Sequence, residues 1–231
     1  MALSRVAVVV MAKYPTPGRV KTRLTPELSN EEAAAVHACF LKHVVERLAR
    51  LNPAELVVCF DPPEQLHGMR QLLDGQSVSF LPQCPGDLGA RLANAAGRLL
   101  DRWERLVFVG VDSPDVPVGY LFKAAELTEQ AAVSLSPTTD GGYWSLGLCR
   151  GVNVGELLRE IPWSSGQEAT ATLRSAEALG QPSVTGLAWE DVDHPADLRR
   201  LLTRLSRSEV AADAHLLSKL RDVLPAQWFF G

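Results

Sequence analysis

Runs of apolar, mostly β-branched residues recur along the chain, and between them apolar positions fall at helical spacing. The runs at 5–11, 55–60, 78–82, 105–111 and 132–137 predict five strands. The stretch 143–148 predicts a shorter and more exposed strand, and 183–189 is a late candidate. Helical spacing covers 30–51, with Asn30 as a plausible N-cap and acids in its first turn, and then 89–103, 118–130, 195–207 and 210–224. Near-continuous valine-rich strands separated by helices predict an α/β protein with a mostly parallel sheet covered on both faces. In such sheets ligands sit beyond the carboxyl ends of the strands. The loops at 12–29, 83–87, 112–117 and 138–142, all polar and rich in Gly, Pro or Asp, are therefore the ones to search for chemistry.

Composition narrows the function classes. The 231 residues suit one large domain, and 46% hydrophobic residues allow an ordinary core. The net charge of −4 gives no overall basic bias toward nucleic acid or an anionic membrane, so neither is expected as a partner. No apolar run approaches the length of a membrane span, and the first run is followed by a basic loop with no small-residue cleavage site, so it reads as a strand. Cys39, Cys59, Cys84 and Cys149 form no CxxC pair; buried free thiols in a reducing cytoplasm are expected.

Against that acidic background the loop after the first strand stands out, because "AKYPTPGRVKTRL" gathers Lys13, Arg19, Lys21 and Arg23. In an extended stretch Lys21 and Arg23 would face one side while Val20 and Leu24 anchor the other. Both cations suit phosphate oxygens, and Gly18 would let the backbone approach a ligand. A P-loop is excluded, since Val20 stands where that pattern needs a glycine directly before Lys-Thr. A merely solvated basic loop is the plain alternative. Asp112 ends the strand in "VFVGVDSPDVP", and its hard oxygens suit Mg²⁺ or Mn²⁺ shared with a phosphate, or else serve a turn. Asp115 reads as a cap for the helix that follows. "TDGGYW" sets Asp140 beside Gly141 and Gly142, a turn or a substrate contact. In "WEDVDHPADL", Asp191 and Asp193 share one face of an extended segment before a helix opened by Pro195, where Asp193 or His194 could equally be a cap. The terminal "PAQWFFG" reads as aromatics docked on their own core, with a partner contact as the alternative.

Taken in order, "AKYPTPGRVKTRL", "CPGDLGARL", "VGVDSPDVP", "TDGGYWSLGL", "IPWSS" and "DVDHPADL" resemble a bacterial group of glycosyltransferase-like proteins. That group is labelled transferase 1, radical-SAM/selenodomain-associated, or arsenosugar-biosynthesis glycosyltransferase-like. The opening loop and the Asp193 region also look like 2-phospholactate guanylyltransferases and molybdenum-cofactor nucleotidyltransferases. The resemblance implies the nucleotide-diphospho-sugar transferase (GT-A) fold in a single domain over 1–231, with C-terminal helices from about residue 194. It implies that Ala12, Lys13, Gly18, Lys21, Arg23 and Arg91 bind the nucleotide, with Asp112, Lys21 and Arg23 catalytic. It further implies that Asp112 and Asp193 hold Mg²⁺ or Mn²⁺, and that Asp140, Gly141, Gly142 and Tyr143 face the acceptor. It gives Asp87 no role. His194 and Ser165 depart from the group's usual threonines without removing an implied ligand.

Two reactions fit these expectations. A nucleotide sugar could pass its sugar to a small acceptor, or an NTP could pass NMP to a phosphorylated one. A non-catalytic nucleotide-binding module is the remaining alternative. From Ser134 to Leu148 there is no Lys or Arg, so the acceptor pocket beside Gly142 is expected to be neutral or acidic, which favours glycosyl transfer.

Overall fold

Seven strands form one sheet in the computed structural model, which describes residues 5–229. They are β1 (Ala7–Lys13), β2 (Glu55–Asp61), β3 (Ser79–Pro82), β4 (Arg105–Gly110), β5 (Val133–Pro137), β6 (Tyr143–Cys149) and β7 (Ser183–Thr185). Their order across the sheet is β3-β2-β1-β4-β6-β5-β7. β6 runs antiparallel to both its neighbours and every other pairing is parallel. The sheet is thus mixed but mostly parallel, as the strand composition predicts.

Side-chain alternation splits β1 between two cores: Ala7 and Val9 pack on one face, Val8, Val10 and Ala12 on the other. The first face is covered by α3 (Leu88–Leu100), α5 (Val154–Leu157) and α6 (Glu168–Ala178). The second is covered by α1 (Asn30–Arg50), α2 (Leu66–Leu72) and α4 (Val118–Leu127). α7 (Pro195–Arg207) and α8 (Ala211–Val223) form a third layer, burying Leu198, Leu201, Leu216 and Leu220 against Val36 and Phe40 on the outer side of α1. Among the described residues no helix is long and apolar enough to cross a membrane.

Several expectations are corrected. The α1 cap is Ser29: its hydroxyl accepts the Glu32 N–H at 3.1 Å and the Glu32 carboxylate accepts the Ser29 N–H at 2.7 Å, leaving Asn30 as the first helical residue. β6 is buried rather than exposed, because it lies between β4 and β5, and its Ser145 and Gly147 hide that position in the sequence. α2, α5 and α6 escape sequence patterning. α6 turns Ala169, Thr172 and Ala176 to the core, and such small residues leave a faint hydrophobic stripe. The four cysteines are free, but only Cys59 is fully buried. Trp228 docks on the third core beneath the Arg199 guanidinium, 4.5 Å from its ring centroid. Phe229 packs beside it, and Phe230 and Gly231 of the same motif lie outside the described residues.

Candidate functional site

The four polar loops all open at the carboxyl ends of strands, and the residues they carry line two adjoining clefts. One, about 740 Å³, is lined by Ala12, Lys13, Arg19, Lys21, Arg23 and Arg91, among others. The other, about 570 Å³, is lined by Thr138, Asp140, Gly142, Glu168 and Asp191, with Arg23 its only cation among the described residues. Asp112, Asp193, Tyr143 and Trp163 border both.

The basic loop is not the extended strand-like segment its alternation suggests. Thr22–Leu24 is a short 3-10 turn, and Lys21 before it takes a left-handed backbone (φ 47°, ψ 36°). Val20, Leu24 and Leu28 are buried and pin the loop, while the turn directs both Lys21 and Arg23 toward Asp193. Arg23 Nη1 lies 3.0 Å from Asp193 Oδ2, and Lys21 Nζ lies 3.6 Å from Asp193 Oδ1. Lys21 Nζ also pairs with Asp112 and donates to the Val192 carbonyl.

Backbone contacts hold the two acids side by side. The Val192 N–H donates to the Asp112 carbonyl at 2.8 Å. At the start of α7 the Asp197 carboxylate accepts the N–H groups of Asp193 (3.0 Å) and His194 (2.7 Å). Capping is therefore done by Asp197, and the Asp193 carboxylate is left to Lys21 and Arg23. Arg47, buried in α1, donates to the carbonyls of Pro114 and Val116 and clamps the loop after Asp112. Asp115 does not cap α4, whose N-cap position is Pro117. It is buried and accepts from Arg204 Nε at 2.6 Å and Trp189 Nε1 at 3.1 Å, tying α7 to that loop.

Electrostatics differ between neighbouring acids. The protein mass around Asp112 opposes its ionisation, but Lys21, His37 and Lys13 overcome this and hold the carboxyl below the usual range. Asp191 has no such cation: burial, then Asp140, Asp193 and Asp112, push it up to about 6. His37 is buried below the first cleft with Nε2–H donating to the Lys13 carbonyl at 3.0 Å, and burial lowers its pKa.

Of the residues expected to touch ligands, Gly18 and Gly141 line neither cleft. Gly18 (φ 74°) shapes the turn of the basic loop instead. Gly141 (φ 95°) packs on the backbone of Gly166, and its carbonyl accepts the Ala169 N–H at 3.0 Å, so it joins the 138–142 loop to the start of α6. Asp140 Oδ1 accepts from Thr138 Oγ1 at 2.5 Å and from the Gly142 N–H at 3.0 Å, which makes it the organiser of that turn as well as a lining group. Tyr143 borders the clefts edge-on to Trp163, with centroids 6.4 Å apart, while Trp144 packs into the opposite core. Arg91 reaches Asp61 Oδ2 (3.2 Å) and Gln83 Oε1 (3.1 Å) at the wall of the first cleft. Asp87 is the N-cap of α3, accepting the Ala90 N–H at 2.8 Å. Sequence reading misses Trp163, Ser164, Leu88 and His37 as lining residues. The "IPWSS" motif contains Trp163 and Ser164 and "CPGDLGARL" contains Leu88, while nothing in the sequence singles out His37.

Among the described residues no group of three or more His, Cys, Asp or Glu side chains could hold a metal ion. Asp112 and Asp193 are the two acids at this edge that could supply the protein side of a metal site. Their convergence on one lysine nitrogen fits a divalent ion that takes its remaining ligands from water and phosphate.

A comparison with curated proteins returns no match. The structure is similar to that of a candidate nucleotide-diphospho-sugar transferase from Desulfovibrio desulfuricans G20, with 26% identity and a TM-score of 0.83 over 95% of this chain and 98% of that one. It is also similar to Rv0371C from Mycobacterium tuberculosis H37Rv, solved in complex with manganese (20% identity, TM-score 0.52, 86% and 98% covered). A cytidylyltransferase from Leptospira borgpetersenii serovar Hardjo-bovis shares 13% identity at a TM-score of 0.57, with 94% of each chain covered. The fold is that of the nucleotide-diphospho-sugar transferases, GT-A, and its structural neighbours include nucleotide-using transferases. A family profile matches residues 44–165, more than half of the length, and the chain belongs to that family, DUF2064, described as an uncharacterized protein conserved in bacteria.

Proposed function

We propose that the protein is a metal-dependent transferase that moves a glycosyl group from a nucleotide sugar to a small acceptor, with the whole chain acting as one domain. The observation that carries this reading is the position of Asp112 and Asp193, joined through Lys21, where a cationic cleft meets an acidic one. Such a junction suits a reaction in which phosphate lies on one side and an uncharged acceptor on the other.

In this reading Lys13, Arg19, Arg23 and Arg91 hold the diphosphate in the first cleft, and the backbone at Ala12 borders the nucleoside. Asp112 and Asp193 would hold Mg²⁺ or Mn²⁺. When bound, the ion supplies charge neutralisation at the phosphate oxygens. Arg23 and Lys21 stabilise the negative charge that grows on the leaving diphosphate, a preorganised electrostatic contribution that needs no covalent intermediate on the protein. Tyr143 and Trp163 give the acceptor an aromatic wall, with Asp140 and the Gly142 backbone as polar contacts. The second cleft carries five carboxylates (Asp112, Asp140, Glu168, Asp191 and Asp193) against Arg23 alone, which disfavours a phosphorylated acceptor. The narrower kinship with the radical-SAM-associated group belongs to this proposal too.

Nucleotidyl transfer is the second reading, favoured by the five cations around the first cleft, Lys21 included, which could serve a triphosphate. Incubation with UDP-, GDP-, CDP- and dTDP-sugars and with labelled NTPs, in the presence of Mn²⁺, separates the two. Slow hydrolysis of one nucleotide sugar, abolished by Asp112→Ala, is expected. Pyrophosphate release from an NTP that depends on a phosphorylated acceptor would replace glycosyl with nucleotidyl transfer.

A further inference from the structure

Two carboxylates aimed at one point repel each other unless a cation lies between them. Here that cation is part of the chain. Lys21 Nζ pairs with Asp112, lies 3.6 Å from Asp193 Oδ1 and donates to the Val192 carbonyl. Its side chain is only 4% exposed, whereas that of Arg23, two residues on, is 57% exposed. The backbone fixes the placement, since Lys21 takes the left-handed conformation that a residue with a β-carbon seldom adopts. Buried Val20 and Leu24 on either side hold it there. Meanwhile the described residues offer a metal no third carboxylate, histidine or cysteine in the same place.

We propose that Lys21 is a built-in stand-in for the divalent ion: its ammonium fills the metal position in the ligand-free protein and yields it only when nucleotide phosphates arrive. This inference rests on the nucleotide reading of the first cleft. Phosphate oxygens entering beside Lys21 give the ammonium acceptors to replace Asp112 and Asp193. The same oxygens complete the coordination that two carboxylates leave unfinished. Both changes favour metal in the carboxylate pair at the moment the phosphates bind. Metal and nucleotide therefore bind with positive coupling, and the coupling is reciprocal. The loop thereby holds the two acids in order and withholds them from free metal.

The test is titration of the full chain with Mn²⁺ alone, followed by electron paramagnetic resonance of the unbound ion. The chains compared are the parent, Lys21→Met, Lys21→Gln, Lys21→Arg and the double variant Lys21→Met/Asp112→Asn, each checked for folding by circular dichroism. Lys21→Met and Lys21→Gln should bind Mn²⁺ at least roughly tenfold more tightly than the parent, an effect of ordinary size for coupling between sites. Lys21→Arg, which keeps the positive charge, should stay weak, and Asp112→Asn should erase the gain. Parent binding as tight as that of Lys21→Met overturns the proposal. So does a folded Lys21→Gln that gains nothing, or a gain that survives Asp112→Asn. UDP, GDP, CDP and dTDP are titrated separately into the parent with Mg²⁺ present. Failure of all four to bind would overturn the nucleotide reading, whereas nucleotide binding with no Mn²⁺ gain in the variants would overturn this inference alone.

Discussion

Lys21 and Arg23 both reach Asp193, but the consequences of removing them differ. Lys21 is buried and neutralises two acids, so its loss mixes binding with stability. Arg23 is exposed and pairs only with Asp193 among the described residues. Arg23→Ala should therefore weaken nucleotide binding by about 1.5–3 kcal/mol, the worth of a charged hydrogen bond, with little change in melting temperature. Calorimetric titration with the nucleotide found in the donor screen checks this, and unchanged affinity would remove Arg23 from the phosphate site. Asp87 belongs to a different class of residue. Its carboxylate caps α3, so Asp87→Ala should cost about 1 kcal/mol in urea unfolding and Asp87→Asn, which still caps, should cost much less. Equal losses in the two variants would show that the cap is not what Asp87 contributes.

At the scale of elements, the second cleft depends on two loops meeting backbone to backbone. A β-carbon at Gly141 would fall 1.9 Å from the Gly166 carbonyl oxygen, and φ there is 95°. Gly151 has nearly the same φ, 96°, with nothing within 4 Å of an added β-carbon. Gly151→Ala thus reports backbone strain alone, about 1–3 kcal/mol, and Gly141→Ala adds a clash that separates the 138–142 loop from α6. Urea unfolding should rank Gly141→Ala as the more destabilised by about 1–3 kcal/mol. If the two variants unfold alike, the loop contact is slack and does not shape the cleft. The same clasp accounts for the place of Gly141, which supports the second cleft from behind by contact with Gly166 and does not line it.

Across the whole molecule, the layered packing buries His43 of α1, whose Nε2 has no partner among the described residues. Burial first, then Arg47, His215 and Arg50, push its pKa down to about 3. The folded protein therefore holds a neutral ring that the unfolded chain protonates near its ordinary value of 6.5. The stability this preserves is complete above about pH 6.5 and drains away as pH falls toward 3. Between pH 7 and pH 5 the loss due to His43 should be about 2 kcal/mol, so His43→Leu should flatten the urea-unfolding profile by that amount. Identical profiles would mean that His43 is not held neutral. Much of this architecture is legible in the chain itself. The valine-rich runs fix β1, β2 and β4 to within two residues, because a strand buried on both faces must be apolar throughout. The polar loops after those strands carry the clustered cations and Asp112, because a parallel sheet gathers the ends of its strands along one edge. What the sequence leaves open is decided by long-range contact. β6 is buried by its neighbours, α6 is held by small residues against a core it does not announce, and Asp115 finds Arg204 instead of a helix end. Lys21, Asp112 and Asp193 are ordinary polar residues in three separate loops until the left-handed turn at Lys21 and the Val192–Asp112 hydrogen bond bring them to one point. Local composition determines what each segment can become, since it sets backbone preference and burial. Tertiary structure alone determines which charges meet, since an ion pair depends on distance in space and leaves no periodicity in the chain.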